Sequence, residues 1–370
     1  MERLCSATEQ TCLWPRFLSI VPVVSSTYSP PPFLSGGHVQ TLYASLLRPV
    51  DFAYDRRERI DTPDDDFLDL DWAEADVGGS PERVAVLTHG LEGSADRSYM
   101  RGMTRALVRR GWDVCAWNLR ACSGELNRRV ATYHSGKTED LDRVVEHVFE
   151  RGYSTAALIG FSLGGNITLK YLGERGHTVD ERIRAAVAFS TPVDLKASSH
   201  QISRATNWHY TQYFLRSLRE QIRRKAERHP NGVTTDALSH VRTLRDFDDA
   251  YTAPLNGFRD ADTYYREASS RPVLEEIAVT TLLVNAANDP FLADTCYPTD
   301  VAQGHPHFTL EVPDDGGHVG FVTFDDTGEY WSERRAASFL ATALGESPST
   351  EADRMEKGGA SARDNRLPSE

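Results

Sequence analysis

Ala156-Ala-Leu-Ile-Gly160-Phe-Ser162-Leu-Gly164-Gly165-Asn166-Ile-Thr-Leu-Lys-Tyr-Leu172 is the stretch that decides the fold. Its first part, Ala156 to Ile159, is short and continuously apolar, as a strand buried on both faces must be. Its last part, Asn166 to Leu172, has a helical pattern. Between them stands Gly-x-Ser-x-Gly, so the run predicts a strand, a tight turn and a helix. A serine at the apex of such a turn is held in a strained backbone conformation. Small residues two positions either side avoid clashes with the adjoining strand and helix. Ser162 is therefore expected to project above the sheet as a nucleophile. The pattern is short enough to arise by chance, and its strand-before, helix-after setting gives it weight. A phosphate-binding glycine loop is the competing reading, but the lysine of a P-loop is missing.

Working outward, further apolar runs recur with helix-like segments between them: Val84 to Thr88, Asp113 to Trp117, Ala185 to Phe189, Thr281 to Val284 and Phe308 to Val312. Phe67 to Trp72 alternates faces and puts Leu68, Leu70 and Trp72 together. Strands alternating with helices predict an α/β fold with a mostly parallel sheet covered on both faces. The rhythm breaks between Phe189 and Thr281, where residues 192–279 carry helical pattern and aromatics but no clear strand. A long excursion of this kind is expected to be a helical cap over an active site. The expected organisation is an irregular proline-punctuated arm over 1–32, one domain over 33–345 including the cap, and a disordered tail over 346–370.

Composition narrows the function. A formal net charge of −13 argues against nucleic-acid binding, which needs a basic surface. The cysteines Cys5, Cys12, Cys115, Cys122 and Cys296 form no CxxC pair, and Cys115 lies in an apolar run, so reduced thiols and a cytoplasmic location are expected. The apolar stretch Leu13 to Val24 is broken by Pro15, Arg16 and Pro22, is too short to span a bilayer, and lacks an evident signal-peptidase pattern.

A serine hydroxyl becomes a useful nucleophile when an imidazole takes its proton and a carboxylate fixes that imidazole's tautomer. In this type of fold the chain order is Ser, acid, His. Thr281 to Asp289-Pro290 is a strand ending in an acid, which makes Asp289 the candidate and Asp294 its rival. Pro313-Asp-Asp-Gly-Gly317-His318-Val-Gly320 follows another strand, and its glycines let the loop turn inward, so His318 is the candidate base. A helix over Tyr330 to Leu344 is expected to close the domain. Val84 to Thr88 ends in His89-Gly90-Leu91-Glu92-Gly93, where the second oxyanion donor belongs. The backbone N–H groups of Leu91 and Leu163 are nominated. His89 is expected to brace that loop rather than act as base, and His134, His305 and His307 are likewise read as structural. No metal ligand cluster accompanies them, and no cofactor is implied.

Several motifs in this order resemble the YheT-like branch of the α/β-hydrolases, over about Phe33 to Leu344. They are Gly36-Gly-His-Val-Gln-Thr41, His89 to Gly93, Arg120-Ala-Cys-Ser-Gly-Glu125, Tyr133-His-Ser-Gly136, the serine turn, Asp246-Phe-Asp248, Asn285 to Phe291 and Gly317-His-Val-Gly-Phe321. The family pattern usually has glycine where Ala121 stands and an acidic pair where Asn288-Asp289 stands; only Asp289 remains acidic here. The resemblance implies esterase chemistry on small acyl esters. Two other readings use the same fold: an acyltransferase with the same three residues, and a catalytically silent binding protein. In the cap, Leu215, Leu218 and Ile222 share one helical stripe and Arg216, Arg219 and Arg223 another. The first is expected to pack on the core, while the second offers a less favoured route to a membrane surface. The oligomeric state is not legible.

Overall fold

The computed structural model describes residues 23–76 and 82–346. Most of the expected arm and all of the expected tail beyond Glu346 lie outside the described residues, as do Cys5 and Cys12. Nine strands form one sheet: β1 (Val23–Val24), β2 (Arg56–Asp61), β3 (Phe67–Ala73), β4 (Arg83–Thr88), β5 (Asp113–Asn118), β6 (Thr155–Phe161), β7 (Ile183–Phe189), β8 (Thr280–Val284) and β9 (Phe308–Glu311). Their order is β1-β9-β8-β7-β6-β4-β5-β3-β2. Pairing is parallel from β1 through to β5, while β3 runs antiparallel to β5 and β2 antiparallel to β3.

The seven strands expected from apolar runs are present. Side chains alternate across the sheet with the strand period of two. Val84, Val86 and Leu158 enter one apolar layer, with Leu141, Val144 and Ile167, while Ala85, Leu87 and Ile159 enter the other, with Met103, Leu107 and Leu340. The first layer is closed by α3 (Thr138–Glu150) and α4 (Leu163–Arg175), the second by α2 (Ser98–Val108) and the final helix Trp331–Ala343. Each fully buried aliphatic or aromatic side chain contributes about 1.5–3 kcal/mol, and these two layers hold the sheet rigid beneath the site.

Two strands were not expected. The two residues of β1 fall in the stretch read as irregular arm, where they pair with β9. The other, β2, is Arg-Arg-Glu-Arg-Ile-Asp, whose single apolar residue, the buried Ile60, makes no apolar run. Charge pairs add to what Ile60 contributes. Arg57 lies opposite Asp71 and Arg59 opposite Asp69, and each guanidinium clasps its carboxylate through two hydrogen bonds of 2.7–2.9 Å. Those aspartates occupy the face of β3 opposite Leu68, Leu70 and Trp72. The Ala121 departure also has a physical meaning: its φ is +67°, a conformation that favours glycine.

Between β7 and β8 the described chain is helical, with α5 (Leu195–Ile202), α6 (Trp208–Arg228), the helix Ala261–Ala268 and shorter turns. Leu215, Leu218 and Ile222 of α6 are buried in an apolar cluster of their own with Val233, Phe247 and Tyr251. On the opposite stripe Arg216 is exposed, Arg219 donates to the Val241 carbonyl at 2.8 Å, and Arg223 pairs with Glu220 at 3.3 Å. The buried Lys225 ammonium donates to Asn127 Oδ1, the Arg129 carbonyl and the Ala131 carbonyl at 2.7, 2.7 and 3.1 Å. That cage ties α6 to the loop after β5, and burial pushes the amine down to about 8. Among the described residues no helix is long and apolar enough to cross a membrane.

Candidate active site

The turn from β6 into α4 places Ser162 at φ +53° and ψ −120°. The space around it explains the glycines. A Cβ at Gly160 would lie 2.4 Å from the Gly164 carbonyl oxygen, and one at Gly164 would lie 2.3 Å from the Thr88 carbonyl oxygen. At Gly165 it would meet Thr191 Oγ1 at 2.1 Å. Larger residues would push the helix off the sheet.

Three side chains distant in sequence converge here. His318 Nε2 lies 2.8 Å from Ser162 Oγ, and His318 Nδ1 lies 2.9 Å from Asp289 Oδ2 and 3.1 Å from Oδ1. The Asp289 carboxylate is fully enclosed, and the His318 ring is 10% exposed. Asp289 Oδ1 also accepts the Phe291 N–H at 2.8 Å, which fixes the plane of the carboxylate. Asp294, the rival acid, is exposed on a short 3₁₀ turn and does not reach the imidazole.

The loop carrying His318 is shaped by contacts whose role the sequence did not disclose. His318 N–H donates to Thr41 Oγ1 at 2.8 Å, and Val319 N–H to Ser190 Oγ at 2.8 Å. Gly317 has φ +57°, and a Cβ there would meet the Gly37 carbonyl oxygen at 2.3 Å. Gly37 and Thr41 belong to α1 (Gly37–Leu46), so the glycine-rich motif near the start of the domain buttresses the histidine loop. Asn288 serves the same loop, accepting the Gly317 N–H at 3.0 Å and donating to Asp315 at 2.6 Å. In the sequence this buttress is marked by the motif Gly36-Gly-His-Val-Gln-Thr41, whose residue types do not disclose its role.

His89, His134 and His305 each make contacts to the backbone of a loop. Leu119 N–H donates to His89 Nε2 at 3.1 Å, so Nδ1 carries the proton and donates to the Gly90 carbonyl at 2.8 Å. Burial holds this neutral ring down at about 4. His134 Nδ1 accepts the Gly136 N–H at 3.2 Å, and burial pushes its ring down to about 3. His305 Nδ1 accepts from His307 N–H while its Nε2 meets the Glu275 carbonyl at 3.1 Å, so the pair closes a loop.

Leu91 and Leu163 flank the serine. Gly90 lies so near that a Cβ on it would sit 3.1 Å from Ser162 Cβ. Leu163 opens α4, where N–H groups have no acceptor within the helix. Both leucines line a cavity of about 130 Å³ that extends beneath α5 and α6 and includes Phe291, whose ring lies 4.2 Å from that of His318. The walls are mainly apolar, from Leu195, Ile202, Leu218, Ile222 and Phe247. Asp248 supplies a polar corner. Its carboxylate accepts the Tyr265 hydroxyl at 2.6 Å, and burial raises it to about 6. Asp246, its neighbour in the motif, instead caps the short helix Leu244–Phe247 together with Thr243.

With this geometry in view, the comparison that decides the family is a match of residues 85–325 to the model of the alpha/beta hydrolase fold. The chain belongs to the α/β-hydrolase family. Its YheT-like character is shown by the YheT protein of Escherichia coli (strain K12), a candidate esterase by its name. That relative is 34% identical over 86% of this chain and 94% of its own. Human phospholipase ABHD3 is 29% identical over 81% of this chain and 75% of its own. Among solved structures, the Pyrococcus furiosus esterase Pf2001 superposes with a TM-score of 0.52 at 18% identity, covering 79% of this chain and 93% of that one. Such low identity speaks for the fold alone. The family to which the chain belongs includes proteins named as esterases and phospholipases.

Proposed function

We propose that this α/β-hydrolase is a serine esterase that cleaves carboxylic esters through an acyl-enzyme on Ser162, with His318 as base and Asp289 as orienting acid. The observation that carries this reading is the unbroken hydrogen-bond chain Ser162 Oγ, His318 Nε2, His318 Nδ1, Asp289, with links of 2.8 and 2.9 Å. Asp289 can accept only a proton-bearing Nδ1, so Nε2 is left as the acceptor that the serine proton needs.

In the first half-reaction Ser162 Oγ attacks the ester carbonyl carbon as its proton passes to His318 Nε2. The carbonyl oxygen becomes an oxyanion held by the Leu91 and Leu163 N–H groups, each worth about 10²–10³ in rate. Collapse expels the alcohol, which takes the proton back from Nε2 and leaves the acyl group on the serine. Water then attacks with His318 again as base, and the acid departs. The apolar cavity suits the hydrocarbon part of an acyl ester, and residues 192–279 serve as the cap that excludes water from it. The chemistry calls for no cofactor.

A fluorophosphonate probe tests the nucleophile directly. It is expected to label the wild-type chain at one residue and to leave Ser162→Ala unlabelled. Equal labelling of that variant would remove the assignment.

A further inference from the structure

The turn after β4 contains a feature that the mechanism above does not use. Gly93 N–H donates to the Gly90 carbonyl at 3.0 Å, closing a four-residue turn with Glu92 in third place. Glu92 has φ +52°, the left-handed conformation that glycine ordinarily supplies at this position. A side chain at so disfavoured a place is explained by what it touches. The donors that solvate its carboxylate come from far along the chain, from the loop after β5 and from α6.

Tyr133 hydroxyl donates to Glu92 Oε1 at 2.6 Å and Gln221 Nε2 to the same oxygen at 3.0 Å, while the Ser217 hydroxyl donates to Oε2. The Glu92 backbone is gripped as well, its N–H by the Tyr133 hydroxyl at 3.1 Å and its carbonyl by Arg97 at 2.7 Å. Glu92 is 7% exposed, so its charge depends on these donors, and burial raises its carboxyl above the ordinary range. Ser217 and Gln221 stand four apart on α6, beside Leu218 and Ile222, which line the cavity. The opposite side of the turn is tied to the rigid body, with the Gly90 carbonyl meeting His89 at 2.8 Å and the Gly90 N–H meeting Tyr99 at 3.0 Å.

We propose that Glu92 is a positioning residue through which the seating of α6 over the cavity sets the turn that carries the Leu91 N–H. The oxyanion site is then complete only when α6 is docked, so that covering the acyl group and preparing the site for its chemistry are one event. This rests on the serine-esterase reading and adds to it the group that couples cap to catalysis.

The test uses nitrophenyl acetate and the full chain. Ser217→Ala/Gln221→Leu is expected to lower kcat about tenfold or more, with KM changed by less than about twofold, because a misplaced oxyanion donor acts on the transition state. Glu92→Ala is expected to lower kcat at least as far, and adding the two α6 substitutions to it should cost nothing more. Glu92→Gln keeps an oxygen for Tyr133 and Gln221 and offers an N–H to Ser217, so it should recover kcat to within about threefold of wild type. Independent, multiplying losses in the triple variant would overturn the proposal, as would an unchanged kcat in the α6 double variant. If Glu92→Ala does not fold, the α6 double variant and Glu92→Gln decide. Wild-type turnover in the α6 variants beside an inactive Ser162→Ala would sink this inference alone; an active Ser162→Ala would sink the esterase reading beneath it.

Discussion

Ser162→Ala is expected to lower kcat for a short-chain nitrophenyl ester by about 10⁶-fold, with KM little changed, because the oxygen that forms the covalent intermediate is gone. His318→Ala should lose nearly as much, and the double variant no more than either, since nucleophile and base act as a unit. What turnover remains would come from the Leu91 and Leu163 N–H groups and from binding. Steady-state kinetics on the three variants, checked for folding by circular dichroism, measures this. A Ser162→Ala enzyme that keeps more than a few per cent of turnover would contradict the assigned nucleophile.

Asp289→Asn should lower kcat by about 10⁴-fold without disturbing the fold. The size of the loss follows from one backbone donor. Phe291 N–H points at Asp289 Oδ1 at 2.8 Å, so an asparagine must turn its carbonyl oxygen to that N–H. Its amide nitrogen then takes the place of Oδ2, 2.9 Å from His318 Nδ1, and forces that nitrogen to accept. The proton moves to Nε2, the atom that has to receive the serine proton. Asp294→Asn is the control and should leave kcat within about twofold of wild type, as expected for an exposed side chain away from the reacting groups. A similar loss in both variants, or none in Asp289→Asn, would show that the orienting carboxylate has been misassigned.

The sheet was legible wherever strands announce themselves by apolar runs, as in β4 to β9, and illegible where charge pairs stand in place of an apolar run. In β2 the arginines face aspartates of β3 across the ladder, a pattern that reads as a solvated loop until the partner strand is known. Ser162, Asp289 and His318 could be named because each lies just beyond a strand and their order is constrained by the fold. Their supporting cast could not. Thr41 meets His318 across 277 residues of sequence, and Glu92 meets Gln221 across 129, separations at which no local pattern signals contact. The same holds for the cavity, whose shape depends on how residues 192–279 fold back. Ala121 and Asn288 show a middle case. Both were visible as departures from a family pattern, but only coordinates reveal a left-handed residue in one and a brace for the histidine loop in the other.

Rapid mixing with a nitrophenyl ester followed by acid quench and peptide mass analysis tests the covalent mechanism most directly. The account predicts a burst of about one nitrophenolate per chain before steady turnover, with the acyl mass carried on Ser162 in the peptide spanning β6 and α4. Turnover without an acylated chain, or the acyl group found on another residue, would contradict it.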